Sequence, residues 1–177
     1  LWRKIKCNLM NSTKYLIHVV CLFIIQLAIL DNIQLNSYIY INIYILAILI
    51  LPYTMKKTSV LLLAFLFGFI IDLANNTMGI HTAATTFIAY LRPKLLQLTS
   101  NRDQIDDIQG AQKVRKFGWF FRYTTLSVFI FNVVLMLAEA FSFANFSITL
   151  LRIVCSTVVS GFFIMLYYFI ALKKKQE

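Results

Sequence analysis

Long apolar runs broken by short polar connectors organise this chain. Six runs predict helices: approximately Tyr15 to Leu30, Tyr38 to Leu51, Ser59 to Leu73, Gly79 to Leu91, Phe117 to Ala140 and Ile148 to Leu172. A helix needs about 20 residues to cross roughly 30 Å of hydrocarbon. The last two runs reach that length unaided, and the first four need flanking polar residues to complete a crossing. The fourth, opening His81-Thr82-Ala83-Ala84-Thr85-Thr86, is the least apolar. Five Gly, two Pro and the absence of any Ser-rich, Pro-rich or acidic tract leave no linker. The pattern predicts one integral membrane domain over residues 1–177, an all-α polytopic bundle of about six transmembrane helices.

Composition strengthens this reading. The chain is 60% hydrophobic with a mean hydropathy of +0.75, against about 45 to 50% apolar content in soluble domains. Charge then orients the runs, because Lys and Arg gather in cytoplasmic connectors. Arg3, Lys4, Lys6 and Lys14 precede the first run, Lys56 and Lys57 lie between the second and third, a basic stretch from Arg92 to Arg122 follows the fourth, and Lys173 to Lys175 follow the sixth. The connectors around Asp31, from Asp72 to Met78 and from Phe141 to Ser147 alternate with these and carry little positive charge. Six crossings with both ends inside fit that alternation, whereas a fourth run that failed to cross would strand a basic connector outside. The formal net charge of +10 is thus explained by an anionic membrane surface, the lipid bilayer being the partner, and no nucleic acid is expected. No small-residue cleavage site follows the first run, so an uncleaved first span is expected.

Cys7, Cys21 and Cys155 are widely spaced and indicate neither a disulfide framework nor a zinc site. In the connector after the fourth run, Ile105, Ile108, Ala111 and Val114 recur every three residues; a short helix resting on the inner leaflet and a solvated loop with local ion pairs both fit.

The candidate chemistry concentrates between Ala64 and His81. Gly68 and Asp72 are four apart, one turn apart on one helix face, so a bare backbone patch lies beside a carboxylate. A carboxylate near a helix C-terminus opposes the dipole and demands compensation, for which His81, Asn75 and Asn76 are the nearest groups in sequence. Two readings stand: a polar network pinning the turn between the third and fourth runs, or a partner or ligand site. Gly79 can supply a left-handed backbone. Ala83, Ala84 and Ala89 offer small surfaces for a fourth helix enclosed by protein, and Arg92-Pro93 is expected to end it, Arg92 reaching to the headgroups. Gln26, His18 and Glu139 are isolated polar groups suited to interhelical hydrogen bonds or the interface. Metalloprotease, hydrolase-elbow, phosphate-loop and Cys-x-x-Cys motifs are absent, so no catalytic residues, cofactor or metal are expected.

One stretch carries a family resemblance: Leu-Leu-Ala-Phe-x-x-Gly-x-x-x-Asp-x-x-x-Asn-Thr-x-Gly-x-His-x-Ala-Ala-Thr from Leu62, followed by Tyr90-Leu91-Arg92-Pro93. It resembles the rod shape-determining protein MreD family, as found in Bacteroidetes-type bacteria. Gln26 and Pro52 add looser support, the C-terminal third matches only in hydropathy and length, and Met78 stands where proline is common in that family. The resemblance implies a six-span fold like the substrate-binding subunits of energy-coupling-factor transporters, placed in the bacterial cytoplasmic membrane. It also implies a non-enzymatic scaffold of the peptidoglycan elongation machinery that contributes to cell-shape control. The implied partner is a bitopic MreC-like protein, with MreB, RodA and a penicillin-binding transpeptidase in the wider complex. The rival reading is a vitamin-binding subunit of a membrane transporter, with Asp72, Asn75, Asn76 and His81 lining its cavity.

Overall fold

The computed structural model describes residues 17–30, 40–51, 55–99, 117–139 and 146–172. Among these residues the chain is helical, with no strand. Helix α1 is the apolar Ile17–Ala28, its end widened into a π turn over Gln26–Leu30. Then come α2 (Ile45–Leu49), α3 (Lys57–Asn75), α4 (Ile80–Thr99), α5 (Phe117–Glu139) and α6 (Phe146–Tyr167), the last continued by a π turn over Tyr168–Leu172. Helices α3 and α4 form an antiparallel hairpin, α4 packs on α5, α5 on α6, and α2 lies against α3, α4 and α5.

Among the described residues, three helices are long and apolar enough to cross a membrane: Lys57–Asn75, Phe117–Glu139 and Ser147–Ile170. Their outward faces identify the solvent they suit. On α3, Leu62, Phe65, Leu66, Phe69, Ile70 and Leu73 are all exposed. A contiguous apolar face of that kind is expected against lipid and is a liability in water. This is a helical membrane protein. α4, as its sequence implied, is less apolar, and it packs between α3 and α5 on one face, with His81, Thr82, Ala84, Thr85, Ile88, Ala89 and Arg92 buried.

Two expectations need correction. Of the run expected over 38–51, the described residues 40–51 are helical only over Ile45–Leu49; positions 40–43 are irregular and 41–49 are all buried. The bundle wraps this stretch so completely that its backbone finds partners on neighbouring side chains and needs no helix of its own. Arg92-Pro93 does not end α4, which continues to Thr99 with Pro93 inside it. Proline removes the bond that position 93 would give to the Ala89 carbonyl, a loss that membrane helices tolerate where neighbours surround the site. The amphipathic pattern at 105–114, the N-terminal cations, Cys7, Asp31, Pro52 and the C-terminal lysines lie outside the described residues.

Candidate functional site

Helix α3 ends in a tight left-handed turn. Asn76 adopts φ 54°, Gly79 has φ 82°, and the Asp72 carbonyl accepts the N–H groups of both Asn76 and Thr77. These bonds satisfy a carbonyl that the helix end would otherwise orphan. Asparagine tolerates this conformation better than most residues, and glycine takes it without steric cost.

The Asp72 carboxylate reaches across this turn to the start of α4. Oδ1 accepts the His81 N–H at 3.0 Å and the Thr77 hydroxyl at 2.5 Å; Oδ2 accepts the Thr82 N–H at 2.8 Å and the Thr82 hydroxyl at 2.5 Å. Both oxygens are therefore engaged. The side chain caps a helix to which it does not belong, and the positive end of the α4 dipole supplies the compensation that the C-terminus of α3 denies it. Asn75 and Asn76, expected to share in that compensation, are exposed. His81 contributes its backbone N–H, while its imidazole Nδ1 lies 2.9 Å from the Tyr44 hydroxyl, linking the turn to the segment before α2.

One turn down the same face, Gly68 lets the two backbones meet. A Cβ at this position would fall within 2.8 Å of the Thr82 nitrogen and closer still to the Thr82 Cα. Thr85 then places its hydroxyl 3.0 Å from the Ala64 carbonyl across the hairpin. Gly68, Asp72, Gly79 and His81 thus form one joint. Arg92 lies toward the other end of the hairpin, where it is buried and donates to the Leu51 carbonyl. Pro93 belongs to that end as well.

Gln26 serves a different centre. Its amide donates to the Ile41 carbonyl at 2.8 Å and accepts the Ile43 N–H at 2.9 Å. Ser156 accepts the Tyr40 N–H at 3.1 Å, Ser160 accepts the Asn42 N–H at 3.0 Å, and the Asn42 amide donates to Asn132, which in turn donates to Thr157. His18 meets the Tyr167 hydroxyl at 2.9 Å, joining α1 to α6. Sequence reasoning misses Thr77, Thr82, Tyr44, Asn42, Asn132, Ser156 and Ser160. The available signal is the polar opening of the fourth run and a lone amide at position 42 among β-branched and aromatic neighbours.

Outside the joint, an open groove of about 610 Å³ runs along α3 and α4, with Gly79, Ala83 and Thr86 between Phe65, Phe87 and Tyr90. Asp72 and His81 do not line it. No group of three His, Cys, Asp or Glu side chains suited to a metal ion gathers among the described residues. Comparison with protein-family models, curated proteins and solved structures finds no match to the chain, so a functional reading rests on these residues themselves.

Proposed function

We propose that this chain is a non-enzymatic scaffold of the MreD kind, crossing the bacterial cytoplasmic membrane six times with both ends inside and holding a single-span MreC-like partner. MreB, RodA and a penicillin-binding transpeptidase complete the assembly to which such a scaffold belongs. The observation that carries this reading is the destination of the motif residues. Gly68, Asp72, Asn76, Thr77, Gly79 and the backbone of His81 and Thr82 all serve to join α3 to α4. A carboxylate that works on a substrate needs an oxygen directed at it, and both oxygens of Asp72 are directed at the turn. A rigid hairpin of this kind offers shape, and the groove with its small floor at Gly79 and Ala83 is the shape on offer. Lipid tails are as apolar as leucine, so helix association in a bilayer draws on close packing around such small residues. The alternation of basic connectors supports six crossings, the second combining irregular positions with α2, a form that a bilayer admits where protein encloses it.

The test is retrieval from native membranes with tagged full-length protein. Wild type is expected to capture the host's bitopic MreC-like protein, and Ala83→Trp, which fills the groove from an exposed position, to capture at least roughly tenfold less while melting like wild type. Folded wild type that captures no single-span partner and binds a vitamin stoichiometrically would replace the scaffold with the transporter subunit.

A further inference from the structure

A second cavity, of about 310 Å³, lies at the other end of the hairpin, with Lys56, Lys57 and Arg92 around an apolar floor of Val60, Pro93 and Leu96. Among the described residues no acidic side chain lines it. It opens where α3 begins: the N-cap position, Lys56, makes no side-chain cap bond, and the first turn of α3 contains no acidic residue. The first intrahelical bonds are donated by Ser59 and Val60 to the Lys56 carbonyl, so the N–H groups of Lys57 and Thr58 precede them at the positive end of the helix dipole.

Arg92 is the independent observation. It is only 6% exposed, one guanidinium nitrogen is given to the Leu51 carbonyl, and its Nε is buried with no hydrogen-bond partner among the described residues. A buried guanidinium with an unmet donor is costly. An anion with several acceptor oxygens in this cavity would set negative charge beside the Arg92 guanidinium, the two lysines and the helix end together.

Depth and size narrow the ligand. The 19 residues of α3 rise about 28 Å, so this cavity lies roughly one hydrocarbon thickness from the Asp72 turn, at the level of headgroup phosphates. Its volume is at the small end of ligand pockets, room for a headgroup and not for acyl chains. We propose that the Lys56–Lys57–Arg92 cavity binds the phosphate of an anionic membrane lipid. The proposal stands apart from the scaffold reading and requires only that the protein reside in a membrane.

The experiment is native mass spectrometry of the full-length chain released from detergent micelles, with phosphatidylglycerol, phosphatidylcholine and inorganic phosphate as separate probes. Wild type is expected to retain phosphatidylglycerol at least roughly tenfold over phosphatidylcholine. The exposed pair Lys56→Gln/Lys57→Gln is expected to bind phosphatidylglycerol roughly thirtyfold more weakly with an unchanged melt. Lys94→Gln, an exposed cation outside the cavity, serves as the control and is expected to bind like wild type. Equal retention of the two lipids, or equal losses in the double variant and in Lys94→Gln, would overturn the proposal. Displacement of phosphatidylglycerol by millimolar inorganic phosphate, but not by chloride of the same ionic strength, would move the site to a soluble phosphate and overturn the lipid assignment.

Discussion

The α3–α4 joint and the irregular segment at 40–43 face one problem, backbone that leaves the helix inside a bundle, and they meet it by opposite means. At the joint a single carboxylate gathers four donors that lie five to ten residues away in sequence. At the segment, neutral groups on α1 and α6 divide the load between them, Gln26 from 15 and 17 residues away, Ser156 and Ser160 from 116 and 118. A charged acceptor beside a helix N-terminus is strong and local, so the joint depends on one side chain. Neutral bonds inside a membrane bundle are individually modest, so the segment depends on several at once. The first design concentrates sensitivity and the second spreads it.

The comparison breaks first at Gly68. Gly68→Leu is expected to remove about 3 kcal/mol or more, because the branched side chain would have to enter the Thr82 backbone, whereas Gly118→Leu, which meets nothing within 4 Å, is expected to change little. Denaturation by sodium dodecyl sulfate in mixed micelles reads both; equal midpoints would contradict the close approach. Next, Asp72→Ala is expected to cost about 3 kcal/mol, since it unmakes every bond to the carboxylate. Gln26→Leu is expected to cost less, about 2 kcal/mol, leaving the Ile41 carbonyl and Ile43 N–H unmet. If Gln26→Leu proved the more damaging, sensitivity would be concentrated at the segment and the comparison would invert. The smallest effect is expected from Ser160→Ala, about 0.6 kcal/mol, because the Ser156 and Gln26 bonds remain to hold the segment.

The joint is largely legible in the sequence because its requirements fall on residue types that few others replace. Gly68 four before Asp72, an Asn at the helix end and Gly79 after it each signal a backbone need that glycine, asparagine or a carboxylate meets. Thr77 and Thr82 escape notice because hydropathy counts a threonine as a deficit and is blind to its service as a capping donor. The segment at 40–43 is illegible for a different reason. Its residues are apolar enough to read as part of a span, and whether they coil depends on serines more than a hundred positions away. Tyr40-Ile41-Asn42-Ile43 is rich in residues that favour extended backbone, a local hint outweighed by the length of the surrounding run. Arg92-Pro93 misleads because proline ends helices in water more reliably than inside a membrane bundle.

The serines also put the chain on a clock. A ribosome adds about 5 to 20 residues each second, so Tyr40 and Asn42 are joined to the chain roughly 6 to 24 seconds before Ser156 and Ser160 are made. Throughout that interval the N–H groups at 40 and 42 lack the hydroxyls that will receive them, and hydrocarbon provides no substitute. The bonds that hold the second hydrophobic run on its irregular path can therefore close only once the sixth has been made.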